Sequence, residues 1–428
     1  MIGMLLALVV LAAAFLGIRQ YNKNASSATS ITEDTQETVL DVNSDDITSF
    51  RYVYEGETYA FEKEDETWYY ADDHSLNLNQ DRIKAMILKV APLKADQVIE
   101  NVTDMYTIDE LRAIIKEELD KKEYIQEPYS LFEPILYILE DGGKRLRPLL
   151  TLMAYNLYRE DIDRVLKSAI GIEIFHNYTL LHDDVMDDAE LRRGRLTVHK
   201  KWNSNVAILS GDAAAITAYQ CIEHCEDKYL RRAIDFFNQV AMDVCRGQQY
   251  DMLFETRNDV SEEEYIKMIY LKTSVLLAGS LRHGALLADA PEHEYNALYE
   301  FGGYLGLAFQ LQDDYLDVYG DVAEFGKIIG GVIVANNKTY MLIMGLDLAD
   351  PETKDVLWGW IDRKEFDHEE KIKAVTRIYD RLGIKELAFA AIDKYLKMSR
   401  DILDKIDVPR ERKIDFYETL DAIGNRKK

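Results

Sequence analysis

The beginning and the remainder of the chain follow two different hydrophobic patterns. Three short runs, Phe50–Tyr54, Glu57–Phe61 and Thr67–Tyr70, alternate aromatic and polar residues and are separated by polar turns. This alternation is typical of an antiparallel β-meander. Residues 79–93 follow with apolar side chains on one helical face. The pattern predicts a small α+β module over residues 47–104, made of a meander and one amphipathic helix.

From about residue 105 onward, apolar residues recur at three- and four-residue spacing and strand signals are nearly absent. The clearest periodic stretches are Val165–Val185, Asn205–Cys221, Ala233–Leu253, Tyr265–Leu287 and Leu298–Val318. This period indicates amphipathic and buried helices. Residues 105–428 are therefore predicted to form one large all-α helical bundle.

An uninterrupted apolar run, Ile2–Ile18, precedes the module and is followed by Arg19 and Lys23. Its length is at the short end for a membrane-spanning helix. A secretory signal normally begins with a basic region, which is absent here. A buried helix would need apolar surroundings, and the neighbouring sequence is polar. We therefore expect residues 1–23 to form an uncleaved anchor with its C-terminal flank in the cytoplasm. The polar residues 24–46 are expected to be a flexible tether.

The composition narrows the range of ligands. A formal net charge of −26 gives the chain no general reason to bind nucleic acid. Three cysteines, Cys221, Cys225 and Cys245, provide neither a disulfide framework nor a complete zinc site. Any anionic substrate must therefore be held by a local cluster of basic side chains or through metal ions.

Two acidic clusters of the form DDxxD lie at the ends of long apolar stretches, at residues 183–187 and 313–317. On a helix, the first and last Asp of each motif share a face, because they are four residues apart. Such carboxylates repel one another unless a cation lies between them, and hard oxygen ligands favour Mg²⁺. A single motif is often only an exposed acidic turn, but two can hold about three ions across one cavity. The candidate metal ligands are Asp183, Asp184, Asp187, Asp313 and Asp317.

Basic residues accompany both acidic clusters. The Gly142–Pro148 segment contains Lys144, Arg145 and Arg147, and Arg192-Arg193 follows the first cluster. Lys272-Thr273 interrupts an apolar helix, and Lys327 follows the second cluster. Arg grips phosphate oxygens in a bidentate fork, whereas Lys acts as a point charge. Cations next to metal-binding carboxylates fit a diphosphate substrate. The alternative of a solvated surface charge is the simpler interpretation for Arg145 alone, but not for the Arg192-Arg193 pair.

Several motifs together resemble one family. GGKRLRP, HDDVMD, RRG, GQQYD, KT, FQLQDDYLD and GK occur in the order found in trans-isoprenyl diphosphate synthases, such as farnesyl and geranylgeranyl diphosphate synthases. The resemblance extends from about residue 106 to 428. Residues 46–104 resemble the first part of an uncharacterised bacterial envelope-associated domain.

The resemblance implies an all-α isoprenoid synthase bundle, a homodimer and a Mg²⁺-dependent prenyltransferase. Such an enzyme condenses isopentenyl diphosphate with an allylic diphosphate. The implied Mg²⁺ ligands are Asp183, Asp187 and Asp313. The implied ligands of the allylic diphosphate are Arg192, Lys272, Thr273, Gln310 and Lys327. The implied ligands of isopentenyl diphosphate are Lys144, Arg147, His176 and Arg193. Lys338, in the segment that follows the second cluster, is a further predicted substrate-binding residue.

Two residues before the first cluster are predicted to limit product length. Tyr178 and Thr179 lie five and four residues before Asp183, which is one to one and a half helical turns. In the family this position is aromatic in short-chain enzymes and small in long-chain ones. The resemblance therefore implies products of 15 to 20 carbons, with C20 slightly favoured because Thr179 is not bulky.

Two positions depart from the family pattern, and two alternatives to a working synthase stay open, one from these departures and one from the DDxxD motif that terpene cyclases share. Val332 stands where the family has Asp, and Asn337 stands where it has Lys. One alternative is a membrane-anchored binding protein with impaired catalysis. The other is a terpene cyclase, which would not need a second DDxxD motif or the basic residues Lys144, Arg147 and Arg193. Incorporation of labelled isopentenyl diphosphate distinguishes all three.

Overall fold

The computed structural model describes most of the chain from residue 38 onward. The described residues are 38–41, 47–54, 57–64, 67–71, 74–76, 78–90, 92–94, 105–122, 124–320 and 330–425. They belong to two compact units, Met1–Thr103 and Asp104–Lys428. The predicted anchor over residues 1–23 and the predicted phosphate ligand Lys327 lie outside the described residues. Among the helices that are described, none combines the length and the apolar character needed to cross a bilayer.

The first unit contains the predicted meander and helix. Three strands pair antiparallel in chain order, and one helix packs on them. Ile83 and Ile87 of this helix are buried together with Trp68 of the sheet, so the two elements share a small apolar core. The elements are β2 (Ser49–Tyr54), β3 (Glu57–Glu64), β4 (Thr67–Tyr70) and α1 (Gln80–Val90).

One short strand pair differs from the prediction of a tether over residues 24–46. Within that segment Thr38–Asp41 forms β1, which pairs antiparallel with β5 (Pro92–Lys94). The aliphatic Val39 and Leu40 suit a strand. The sequence pattern did not indicate this strand because its partner lies about fifty residues away, beyond the reach of local periodicity.

The second unit is helical, which confirms the predicted all-α bundle. A two-stranded hairpin, β6 (Leu191–Arg192) and β7 (Arg195–Leu196), is its one described strand pair. The helices before the hairpin are α2 (Ile108–Asp120), α3 (Tyr129–Glu140), α4 (Leu146–Asn156) and α5 (Asp163–Met186). Those between the hairpin and residue 320 are α6 (Val198–Lys201), α7 (Ser204–Ile222), α8 (Asp227–Glu255), α9 (Glu262–Ile269), α10 (Val275–Leu287) and α11 (Glu292–Tyr319). The C-terminal ones are α12 (Gly331–Val334), α13 (Tyr340–Leu348), α14 (Pro351–Ile361), α15 (His368–Leu382), α16 (Ile384–Leu403) and α17 (Ile414–Asn425).

Helix α11 joins the two large apolar cores of this unit. Its first half, including Leu298 and Phe301, packs into a core shared with α4, α5, α8 and α10. Its second half, including Leu311 and Tyr315, packs into a core shared with α9, α13, α15 and α16. Burial on both sides fixes α11 along its length, so the carboxylates near its C-terminal end have a rigid support.

A turn of π-helix connects α9 and α10 without breaking the helical rod. Helix α9 begins with a capping box, in which the side chains of Ser261 and Glu264 each accept from the other residue's backbone N–H. The π-helical turn is Tyr270–Ser274, and α10 continues from it. Such insertions shift the side chains that follow around the helix axis and are frequent at functional sites. This one contains both Lys272 and Thr273.

Candidate active site

The two residues of the π-helical turn connect the two acidic clusters. The Lys272 ammonium lies 3.3 Å from Oδ1 of Asp183, in the first cluster. The neighbouring Thr273 hydroxyl donates to Oε1 of Gln310 at 3.0 Å, and the Gln310 amide donates to Asp314 of the second cluster at 3.1 Å. Because Lys272 and Thr273 are adjacent on one turn, the ends of α5 and α11 lie on either side of it. The structure therefore brings the two predicted clusters to one place.

Two cations contact the first cluster at the end of α5: Lys272 contacts Asp183, and Arg192 contacts Asp184. Arg192, on β6, grips Asp184 through its Nε at 2.9 Å from both carboxylate oxygens and through Nη2 at 2.8 Å from Oδ1. Asp184 is only 3 % exposed. This carboxylate, which we predicted to be a metal ligand, is therefore engaged by Arg192 and directed into the protein. Asp183 is partly exposed and Asp187 is exposed, so these two carboxylates are more accessible than that of Asp184.

Negative charge is concentrated around Asp187. Burial, followed by the charge of Asp183, raises the pKa of Asp187 to about 6. Asp251 and Glu255, both on α8, act in the same direction. A carboxyl group with a raised pKa next to further carboxylates favours a bound cation, since a cation removes the repulsion. This is the arrangement expected of a metal site.

Asp251 is a site residue that the sequence analysis missed. Its Oδ2 accepts from the Lys272 ammonium at 2.6 Å. Burial alone disfavours the charged form of Lys272, but Asp183 and Asp251 outweigh that effect and raise its pKa. The signal was available, because Asp251 ends the GQQYD motif and lies four residues after Gly247, on the same face of α8.

The second cluster repeats the division of roles seen in the first. Asp314 is 8 % exposed, and it accepts hydrogen bonds from the Tyr265 hydroxyl and the Gln310 amide. Burial raises the pKa of Asp314 to about 7. Asp313 is exposed, and Asp317 is partly exposed and accepts from the backbone N–H of Val332 at 2.9 Å. In both clusters the middle Asp therefore faces the protein, and the first and last share the other face.

A second group of cations lies around His176. The pKa of His176 is held well below its usual range by burial and then by the charges of Arg147 and Arg193. Burial also lowers the pKa of Arg147 to about 10 and lowers that of Arg193. These groups repel one another, so an anion placed among them would be stabilised. His176, Arg147 and Arg193 are thus brought together, as predicted.

A glycine-rich turn holds Arg193 in this group. The Arg193 guanidinium donates to the carbonyl of Gly142 at 2.7 Å. Gly143 has φ of 112°, and a Cβ there would lie 2.9 Å from Nη1 of Arg193. Lys144 is exposed on the same turn. Arg145, by contrast, forms an ion pair with the buried Glu173 at 2.6 Å, which makes it part of the scaffold.

The predicted chain-length residues lie on α5 below the first cluster. The Tyr178 ring lies 5.3 Å from the Phe175 ring and 4.8 Å from the His182 ring, centroid to centroid. Phe237 of α8 contacts Phe175 at 5.0 Å, so the surroundings of Tyr178 are aromatic. The Thr179 hydroxyl donates to the carbonyl of His176 at 2.7 Å.

Three residues that follow the second cluster in the chain bear on the sequence predictions. Lys338 is half-buried, burial lowers its pKa, and its described charged neighbour is Asp362 at the end of α14. Its role as a substrate ligand stays a prediction, because no contact between Lys338 and the acidic clusters is seen among the described residues. Asn337 is exposed, and Val332 is half-buried against an apolar core.

The packing of α8 on the π-helical turn requires a glycine. A Cβ at Gly247 would lie 2.2 Å from the backbone nitrogen of Lys272. Gly247→Ala is therefore expected to destabilise the protein by about 1–3 kcal/mol and to lower activity. Gly359→Ala is the control, because nothing lies within 4 Å of a Cβ there. It should stabilise α14 by about 0.5–1 kcal/mol. Urea unfolding of both variants measures this, and equal stabilities would contradict the close approach.

Comparisons with known proteins match much of the helical unit. The family model described as polyprenyl synthetase matches residues 128–379. A short chain isoprenyl diphosphate synthase from Methanocaldococcus jannaschii is 38% identical over 262 residues, covering 61% of this chain and 79% of that protein.

Solved structures also superpose on this chain. A crystal structure of a geranylgeranyl pyrophosphate synthase, 40% identical, superposes with a TM-score of 0.72 over 76% of this chain and 100% of that one. A geranylgeranyl pyrophosphate synthase from Corynebacterium glutamicum, complexed with isoprenyl diphosphate and magnesium, is 26% identical. It superposes with a TM-score of 0.67, covering 75% of this chain and 98% of that one.

Proposed function

Because the chain belongs to the polyprenyl synthetase family, we propose that it is a prenyltransferase that joins isopentenyl diphosphate to an allylic diphosphate. We further propose that its products contain 15 to 20 carbons, with C20 favoured. The observation that carries this proposal is the pairing of two kinds of site. Two acidic clusters meet at Lys272 and Thr273, and a separate cationic group surrounds His176.

The residues present fit magnesium. The carboxylates of Asp183, Asp187, Asp313 and Asp317 would hold about three Mg²⁺ ions together with diphosphate oxygens. The raised pKa of Asp187 supports this, because burial and the neighbouring carboxylates both disfavour its charged form, and a bound cation would offset them. When bound, Mg²⁺ would neutralise the allylic diphosphate and stabilise it as a leaving group. Asp184 and Asp314 would support the ligands from the protein side, through Arg192 and through Gln310.

Two groups of side chains are placed to bind the two substrates. Lys272 and Arg192 lie beside Asp183 and are placed to bind the allylic diphosphate. The C1–O bond of that substrate breaks, and its electron pair leaves with pyrophosphate. Arg147, Arg193 and His176 would hold isopentenyl diphosphate, whose double bond then forms the new carbon–carbon bond to C1. This attack leaves a carbocation on the former double bond. A proton is then lost from the carbon next to the carbocation, and the pyrophosphate that has just left C1 is the nearest strong acceptor.

Two features favour this function over the alternatives from the sequence. A terpene cyclase has no use for a second anion site, and here Arg147 and Arg193 crowd around a neutral His176. A binding protein without catalysis would not need both acidic clusters joined through one π-helical turn. Val332 and Asn337 remain departures, but Val332 still donates its backbone N–H to Asp317.

The deciding experiment measures incorporation of radiolabelled isopentenyl diphosphate with each allylic primer in turn. Labelled, acid-labile allylic products are expected in Mg²⁺, and none in EDTA, because isopentenyl diphosphate itself is acid-stable. Cyclic hydrocarbon formed from the allylic diphosphate alone would indicate a cyclase instead. Binding of both substrates without any product would indicate an impaired protein.

We also propose that the helical domain forms a homodimer. Helices α7 and α8 each expose large apolar side chains, among them Leu209, Ile216 and Met242. Light scattering on residues 105–428 is expected to give twice the monomer mass at micromolar concentration. Ile216→Asp should shift it toward monomer, because a charge buried in an interface is costly. A wild-type monomer would contradict the proposal, and Val356→Asp, at an exposed apolar residue of α14, is the matched control.

The location of the enzyme is proposed from its first residues alone. The apolar run over residues 2–18 and the positive Arg19 and Lys23 support an anchor that leaves the synthase domain in the cytoplasm. Recovery of the full chain in the membrane fraction, and of a variant lacking residues 1–23 in the supernatant, is expected. Equal partitioning of both would contradict the anchor.

A further inference from the structure

Lys371 is a buried cation whose described polar partners are both neutral. It lies on α15 and is 1 % exposed. Its ammonium donates to the carbonyl of Val334 at 3.3 Å and to the side-chain oxygen of Asn336 at 2.6 Å. It also lies 4.2 Å from the centre of the Phe366 ring. Burying an ammonium is costly unless its donors are satisfied, so these contacts fix the Val334–Asn336 segment against α15.

Asn336 is held in place from both sides. Its backbone has φ of 60°, a left-handed conformation that Asn tolerates better than most residues. Its side-chain oxygen accepts from Lys371, and its side-chain nitrogen donates to the carbonyl of Ile361 at 3.1 Å. The segment that ends α12 is therefore tied to both α14 and α15.

The other end of α12 contacts the second acidic cluster. The backbone N–H of Val332 donates to Oδ2 of Asp317 at 2.9 Å, and that of Gly330 donates to the carbonyl of Asp317. At Gly330, a Cβ would lie 2.6 Å from the side chain of Ile372, the residue after Lys371. Helix α15 thus contacts α12 at both ends, and α12 contacts Asp317.

We propose that Lys371 is a positioning residue that orients the Asp317 carboxylate through the single turn of α12. The proposal rests on the proposed function, in which Asp317 is a ligand of a divalent cation. Lys371 itself touches neither substrate nor the acidic clusters. Its ammonium fixes the C-terminal carbonyl of the turn, and the N-terminal half of the same turn fixes the carboxylate. Groups that orient a metal ligand typically change metal affinity by about 10- to 100-fold when removed.

The test measures binding of Mn²⁺ by electron paramagnetic resonance in the presence of inorganic pyrophosphate, which needs no turnover. Lys371→Met is expected to weaken Mn²⁺ binding by about 10-fold. Asp317→Asn should weaken it at least as much, and the double variant should be no weaker than Asp317→Asn alone, because both changes act on one carboxylate. Lys373→Met is the matched control, since Lys373 is exposed on the same helix and pairs with Glu369 at 2.8 Å.

A second variant covers the case in which Lys371→Met fails to fold. Asn336→Gly keeps the left-handed backbone available and removes the acceptor of the Lys371 ammonium, so it should weaken Mn²⁺ binding in the same direction. Wild-type Mn²⁺ affinity in a folded Lys371→Met, or in Asn336→Gly, would overturn the proposal. Additive effects of Lys371→Met and Asp317→Asn would overturn it as well. A wild-type protein that binds Mn²⁺ tightly but transfers no prenyl group would instead overturn the proposed function.

Discussion

Alanine at Asp183 or at Asp313 is expected to lower kcat by about 1,000-fold, equivalent to about 4 kcal/mol of lost transition-state stabilisation. Asp183 lies 3.3 Å from Lys272 at the end of α5, and Asp313 is exposed near the end of α11. Each carboxylate would hold a cation against the diphosphate as negative charge develops on it. Removing either one loses an interaction that is strongest in the transition state, so kcat should fall more than KM rises.

Steady-state kinetics over a range of Mg²⁺ concentrations measures this effect. Asp401→Ala is the control, because Asp401 is an exposed residue of α16 that pairs with Lys397 at 2.7 Å. Circular dichroism should confirm that all variants keep their helical content. Full turnover by either site variant in EDTA-treated buffer would rule out the metal-based mechanism.

Helical periodicity was enough to predict that the first and last Asp of each cluster share a face. It did not predict the contacts of the remaining ones, Asp184 and Asp314. The first and last Asp of each cluster lie one turn apart, a property of any α-helix. Asp184 depends on Arg192, which reaches it only because the hairpin turns back through left-handed residues, Arg193 and Gly194 among them. That chain reversal is tertiary structure, and local spacing contains no information about it.

The same limit applies to Lys272 and Asp251. A polar pair that interrupts an apolar helix indicated Lys272-Thr273 directly from the sequence. Lys272 contacts the first cluster and Thr273 is linked to the second through Gln310. This arrangement depends on the π-helical turn, which no residue pattern of the segment specified. The partner Asp251 lies on α8, which approaches closely because Gly247 has no side chain.

Tyr178→Ala is expected to lengthen the product while leaving prenyl transfer intact. Tyr178 precedes Asp183 by five residues, so its ring lies about 7–8 Å along the helix axis from the proposed diphosphate site. Phe175 packs against the Tyr178 ring and Phe237 packs against Phe175, which leaves a bulky aromatic group where a growing chain would pass. Each isoprene unit adds several ångströms, so this ring should stop elongation after three or four units.

The measurement is thin-layer chromatography of the dephosphorylated products. Wild type should give mainly C20 with some C15, and Tyr178→Ala should shift the distribution to C25 and longer. Tyr178→Phe is the matched control, because it keeps the ring and removes only the hydroxyl, and it should leave the distribution unchanged. Chains of C40 from the wild type would show that growth is not stopped here. An unchanged distribution from Tyr178→Ala would move the floor of the pocket to other residues, with Phe175, one turn further along α5, as the next to test.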